Sequence, residues 1–290
     1  MTAYFRPATL DEALAIRAAR DVEIIAGGTD VYPAKTTRAG WGAMGHKDVL
    51  DVTAIPGLEG IEERGEHWRL GCLVTWTDLA RATLPPAFDG LRAAAREIGG
   101  VQIQNRGTLV GNLCTASPAG DGIPNLIALE AEVEVAGPHG CRMVPVESFV
   151  DGYRRTLCGS DEIVVAVRVP KTAASARGHF VKLGARRYLV ISIAMVAAVI
   201  ETDARGAISR ARVVIGACSP IARRLPALEE RLVGRPPGED LPRAVRPEDF
   251  EVLEPLDDVR ATAAYRLAAA ETLTRDLLSG VAGELGSRAA

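Results

Sequence analysis

Lysine is nearly missing from this chain of 290 residues, with four lysines against thirty arginines and a formal net charge of −3. The acids outnumber the bases and no basic stripe is left over to neutralise a phosphate backbone, which excludes a nucleic-acid role. Cysteine is scarce as well. Cys72, Cys114, Cys141, Cys158 and Cys218 are odd in number, scattered and never in C-x-x-C spacing. A disulfide framework and a metal cluster are both excluded, and the thiols are expected to be reduced and mostly buried. The four histidines, His46, His67, His139 and His179, stand apart from one another, so no metal is expected here. No apolar run reaches bilayer length. The most apolar stretch, residues 189–200, is expected to be buried secondary structure, and no membrane span is expected. The first seven residues hold neither a signal-peptide core nor a twin arginine, so a cytoplasmic location is expected. A G-x-S-x-G elbow, a Cys/His pair and a carboxylate pair beside a pocket signal are all lacking, so no catalytic side chain is expected. What remains is a soluble globular composition, 48% apolar, long enough for two or three substructures.

Against these absences, two stretches rich in small residues stand out. The first runs Val22-Glu23-Ile24-Ile25-Ala26-Gly27-Gly28-Thr29-Asp30-Val31, an apolar β-prone run that stops on two glycines. Successive N–H groups after such a stop form a concave nest that binds a diphosphate without a lysine. It is neither G-x-G-x-x-G nor G-x-x-x-x-G-K-[ST]. The second stretch, residues 104–121, carries Gly107, Gly111 and Gly120, which let main chain approach a ligand closely. Thr108, Asn112, Thr115, Ser117 and Asp121 in it have short side chains that hydrogen-bond phosphate or hydroxyl groups. The plain alternative is a surface loop between strand and helix.

Together these stretches resemble the FAD-binding medium subunit of molybdenum hydroxylases, the group containing xanthine dehydrogenase and aerobic carbon monoxide dehydrogenase. That family has an Ala-Gly-Gly-Thr-Asp-like loop early and a Thr-Ile-Gly-Gly-Asn…Ala-Ser-Pro…Asp stretch some eighty residues later. Residues 180–187, 191–197 and 260–266 extend the resemblance over nearly the whole chain. It implies a two-lobed α/β FAD-binding domain of the vanillyl-alcohol-oxidase/PCMH type, followed by an α+β domain with a small antiparallel sheet and helices, an α+β fold overall. By resemblance, Ala26, Gly27, Gly28, Thr29, Asp30 and Val31, with Thr108, Val110, Gly111 and Asn112, would hold the FAD pyrophosphate. Ala116, Ser117, Gly120 and Asp121 would lie near the ribose and phosphate end. Asp121 suits a hydroxyl better than a phosphate, because a carboxylate beside a diphosphate costs Coulomb energy; N-capping of the helix after it is the alternative. Lys182 matches a lysine the family places near the flavin, against the plainer reading of a solvated charge at a strand edge. Arg186 and Arg187 read as surface or interface charges. One position departs from the pattern: Val110 replaces the first glycine of Gly-Gly-Asn. A Cβ there restricts φ, costing little in the β region and forcing a rearrangement if φ must be positive.

The resemblance also implies partners: an iron–sulfur small subunit with [2Fe–2S] clusters and a large subunit carrying molybdenum cofactor, assembled as a dimer of heterotrimers. FAD would pass electrons to NAD, oxygen or another acceptor. A self-contained FAD-dependent oxidoreductase and a flavin-free scaffold, the latter suggested by Val110 alone, are the other readings.

Taken in order, Thr9 and Glu12 form a capping box for a first helix, followed by strands at 22–26 and 49–52 with a helix or loop and a glycine-rich segment, 39–45, between them. A second lobe begins near residue 55, with a strand at 68–71, helices near 77–82, 91–98 and 121–129, and strands at 132–136 and 163–169. The domain boundary is placed near residue 175, giving domains of 1–175 and 176–290 with lobes of about 1–55 and 56–175. Beyond it, 202–206 signals a hairpin turn, helices are expected at 226–232 and 258–278, residues 234–255 as a mobile loop, and 280–290 as a frayed tail.

Overall fold

The computed structural model describes residues 3–35, 47–187, 189–238 and 240–289. The expected glycine-rich segment 39–45 lies outside them. At the start, β1 (Tyr4–Phe5) leads into α1 (Leu10–Ala19), which Thr9 caps: its hydroxyl accepts the Glu12 N–H at 3.2 Å, and the Glu12 carboxylate accepts the Ala8 N–H at 3.0 Å. Next come β2 (Val22–Ile25), α2 (Val31–Lys35) and β3 (Asp48–Asp51). Among the described residues the three strands pair in parallel, in the order β1-β3-β2. A parallel pair needs a crossover, so the chain must leave β2 abruptly, and the two glycines stand where it does.

The second lobe comprises β4 (Ile61–Arg64), β5 (His67–Gly71), α3 (Trp76–Arg81), α4 (Asp89–Glu97), α5 (Val101–Gln104), α6 (Leu109–Thr115) and α7 (Gly122–Ala128). It continues with β6 (Glu132–Gly137), β7 (Gly140–Pro145), α8 (Val146–Phe149), β8 (Val150–Gly152), β9 (Arg155–Thr156) and β10 (Ile163–Pro170). Antiparallel pairing orders its main sheet β4-β5-β10-β6-β7, while β8 and β9 pair as a separate small hairpin. Leu109, Leu113 and Leu126 from the helices share one core with Leu70, Val133 and Val167 of the sheet.

The last region begins with β11 (Arg177–Leu183), β12 (Ala194–Thr202), β13 (Ile208–Gly216) and β14 (Arg223–Arg224), an antiparallel sheet in that order. After it come α9 (Pro226–Leu232) and α10 (Ala263–Ala289). The hairpin turns where expected, with Gly206 at φ +80°. Strand β12 is apolar on both faces because both are covered. Ala197 and Val199 join the core of the preceding lobe, while Ala194, Val196, Ala198 and Ile200 join a second core with α9 and α10. Glycine makes the fit between the regions possible: a Cβ on Gly178 of β11 would lie 2.1 Å from the Ala87 carbonyl oxygen.

Five expectations need correction. In the apolar run 189–200, Leu189 and Ile191 are exposed and the buried strand starts only at Ala194. The last helix starts at Ala263, because Asp257 and Asp258 accept the N–H groups of Ala263, Arg260 and Ala261 and hold the preceding residues in a loop. It then continues through the segment expected to fray, since Leu277, Leu278 and Val281 are buried. Residues 240–255 are a packed segment with short 3₁₀ turns at Leu241–Ala244 and Pro247–Phe250, whose Leu241, Val245, Phe250 and Leu253 enter the second core, where a loop was expected over 234–255. The thiols are free, but Cys114 and Cys141 are exposed where burial was expected.

Candidate cofactor site

The two glycine stretches, separated by some eighty residues, meet backbone to backbone. Gly27 lies so close to the second stretch that a Cβ on it would fall 1.9 Å from the Arg106 carbonyl oxygen and 3.0 Å from the Gly107 Cα. Only hydrogen fits there. Gly28 takes φ +72°, a left-handed conformation that turns the chain from β2 into α2. Through this turn the N–H groups of Gly27, Gly28, Thr29 and Asp30 have no acceptor among the described residues. Four adjacent half-buried or exposed donors with nothing to donate to are what a diphosphate cradle requires. Ala26 precedes them half-buried, and Val31 opens α2.

The second stretch is held from behind. Gly107 accepts the Trp76 N–H at 3.1 Å, and the Leu109 N–H donates to the Val74 carbonyl at 3.1 Å. This pins the chain as it enters α6, where Thr108 is the N-cap and its hydroxyl accepts the Gly111 N–H at 2.9 Å. The expected loop 108–112 is therefore the first turn of a helix. Val110 occupies that turn with its side chain buried in the core, in neither of the backbone conformations considered from sequence. Its Cβ carries no strain, and the flavin-free reading loses the feature that suggested it. Asn112 faces the other way and accepts the Gly122 N–H at 3.2 Å, tying α6 to the start of α7. Between them Ala116 ends α6 at φ +47°, the Ser117 hydroxyl accepts the Ala119 N–H at 3.3 Å, and Gly120 is buried.

Asp121 and Lys182 come together. The buried Lys182 ammonium donates to Asp121 Oδ2 at 2.6 Å, and the Ser192 hydroxyl donates to Asp121 Oδ1 at 2.7 Å. Asp121 makes no side-chain capping bond to α7, and Lys182, only 6% accessible on β11, is no solvated edge charge. Both plain alternatives from sequence therefore fail. The lysine's charge is cancelled locally, and the pair fastens the cradle to the C-terminal sheet. Ser192 was missed by sequence reasoning; its position between two isoleucines gave only the signal of alternation. Arg186 is exposed and turned back onto the Leu189 carbonyl, and Arg187 is exposed.

A second fastening was also invisible in the sequence. Arg212 on β13, with 1% of its side chain accessible, donates to the Ala128 carbonyl at 2.7 Å, to Glu130 at 3.3 Å and to Glu201 at 2.6 Å. It binds the end of α7 to the same sheet.

Comparison with known proteins identifies the family of the chain. Residues 1–172 match the family model described as the FAD binding domain in molybdopterin dehydrogenase, and residues 179–281 match the carbon monoxide dehydrogenase flavoprotein C-terminal domain. The chain therefore belongs to the family of FAD-binding medium subunits of molybdenum hydroxylases. Among its relatives, the caffeine dehydrogenase subunit beta of Pseudomonas sp. (strain CBB1) is 31% identical, the match covering 97% of this chain and 95% of that one. The medium chain of carbon monoxide dehydrogenase from Hydrogenophaga pseudoflava is 28% identical, covering 95% of each chain. A solved structure of carbon monoxide dehydrogenase from that organism superimposes with a TM-score of 0.89 at 29% identity, covering 98% of both chains. Among the described residues no helix is long and apolar enough to cross a membrane.

Proposed function

We propose that this chain is the electron-exit subunit of a cytoplasmic molybdenum hydroxylase and holds FAD between its two glycine stretches. The observation that carries the proposal is the row of four N–H groups, residues 27–30, without acceptors among the described residues, beside the contact of Gly27 with Arg106 and Gly107. Those donors, with Ala26 and Val31 at either end of the turn, bind the diphosphate through main chain alone. Thr108 and Gly111 stand in the first turn of the facing helix, with Val110 packed behind them and Asn112 turned toward α7, and Ala116, Ser117, Gly120 and Asp121 are the residues proposed for the ribose end. Asp121 accepts one bond per oxygen from Lys182 and Ser192, so each oxygen keeps a lone pair for a ribose hydroxyl. When bound, FAD supplies an electron carrier that links one-electron donors to a two-electron acceptor. The protein orients it and keeps water from the packed backbone face.

The donor would be a [2Fe–2S] small subunit, fed by a large subunit with molybdenum cofactor, in a dimer of heterotrimers. The acceptor would be NAD, oxygen or another oxidant. The domains would divide near residue 175, with lobes of about 1–55 and 56–175. Isolating the native complex through a tag on this chain tests the proposal. Two co-purifying subunits with flavin and iron–sulfur absorption are expected. A lone yellow chain would point to a self-contained flavoenzyme, and a colourless one would overturn the FAD reading.

A further inference from the structure

Arg154 lies outside both glycine stretches, yet it is bonded to each. It stands between β8 and β9 in a left-handed conformation, φ +52°, which a non-glycine residue adopts at a cost unless its surroundings hold it there. Its own N–H donates to the carbonyl of Ala116, the left-handed residue that ends α6, at 3.0 Å. Its guanidinium pairs with the Asp30 carboxylate at 3.3 Å. One residue of the small hairpin thus reaches the end of the diphosphate nest with its side chain and the end of the facing helix with its main chain.

Asp30 presents the problem that Arg154 answers. The nest of residues 27–30 offers main-chain donors to a dianionic diphosphate, but its last residue carries a carboxylate of the wrong sign. Lys182 is committed to Asp121 at the other end. The cation that meets Asp30 is Arg154, with about half of each side chain accessible, 49% and 54%. We propose that Arg154 is a positioning residue of the cofactor cradle: it cancels the Asp30 charge beside the diphosphate and ties the nest to the end of α6. The proposal rests on the FAD reading of this site and adds to it a residue that governs how long the cofactor stays.

The test is the rate at which flavin leaves the purified complex, followed by the rise of free-flavin fluorescence on dilution. Arg154→Ala leaves an uncompensated carboxylate beside the diphosphate and is expected to speed release by about tenfold at low salt. Because the repulsion needs both groups, the double variant Asp30→Asn with Arg154→Ala is expected to return to within about threefold of the wild type. Arg154→Lys keeps the charge and should stay near the wild-type rate. A residue that merely supports the hairpin would lower the unfolding midpoint of the flavin-free chain equally in the single and double variants, with no rescue of release by Asp30→Asn. That pattern overturns the proposal, as does an unchanged rate in Arg154→Ala. A wild-type complex that holds no flavin removes the FAD reading itself, a result distinct from either.

Discussion

The two ends of this molecule hold themselves together by opposite means. Around the cradle, chain meets chain through glycine: Gly27 touches the Arg106 carbonyl, and Gly122 gives its N–H to Asn112. In the C-terminal region, side chains do the joining, through arginines buried against carboxylates and carbonyls. Arg212 serves three acceptors, Arg266 bonds Ile193, Ala217 and Asp258, and Arg231 reaches the buried Asp249. The difference matches the role proposed for each region. A ligand recognised by main chain needs bare backbone near it, which glycine supplies and bulky ion pairs would fill. A brace needs stiffness, and multidentate guanidinium bonds give it. The regions meet at Asp121, where the glycine-built half accepts the ammonium of Lys182 from the other.

Breaking that meeting point should have the largest effect. Lys182→Ala leaves the buried Asp121 without its cation, a loss expected to cost about 3–5 kcal/mol in urea unfolding. Asp121→Asn with Lys182→Met should recover much of it. If Lys182→Ala unfolds like the wild type, the two regions are not fastened there. Next comes the family departure at Val110. Because it is helical and buried, Val110→Gly should lose about 3 kcal/mol from the cavity and the helix penalty together, without tightening flavin binding. Tighter binding at unchanged stability would mean that this turn is not helical in the protein.

Acid sharpens the comparison within the first region, whose main sheet has one buried ionic site of its own. Burial acts to raise the carboxyl of Glu134, but the bonds from Arg168 and Arg69 outweigh it and hold the group below its usual range. A carboxyl lowered by folding stabilises the protein above its unfolded pKa of about 4.3, and that contribution fades as the pH drops through the folded value. Glu134→Gln should therefore flatten the stability profile below about pH 4, moving the acid-unfolding midpoint by roughly half a unit. An unaltered acid limb would show that the site contributes nothing. Smallest is the thiol pattern. Burial pushes the Cys72 and Cys218 thiols, one in each region, up to about 12. Alkylation of the folded chain near pH 8 should label the exposed Cys141 and spare both.

Sequence made the main-chain half of this account legible and left the side-chain half dark. Gly27-Gly28 after a β-prone run, and Gly206 in the turn between two strands, are local signals, because φ and close approach are properties of single residues. The N-cap at Thr9 is of the same kind, although Glu12 reaches back to the N–H of Ala8 and not to that of Thr9, so the expected capping box is only half formed. Pairing Lys182 with Asp121 needs a partner 61 residues away, and Arg212 reaches Ala128 across 84. No local pattern carries such contacts in a chain with thirty arginines to choose from. The last helix shows the same limit. Its last residues were expected to fray as a terminus, but burial of Leu277, Leu278 and Val281 in the second core carries the helix on through Gly280 and Gly283 despite their poor propensity. Val110 misled in the other direction, because a pattern of glycines does not reveal which of them a helical turn can replace.

The most direct test of the cradle is the flavin content of a complex carrying Gly27→Ala. With a Cβ due 1.9 Å from the Arg106 oxygen, the two halves must part. The account predicts that the subunits still co-purify while flavin per chain falls by about tenfold or more. A full complement of flavin in that variant would contradict it.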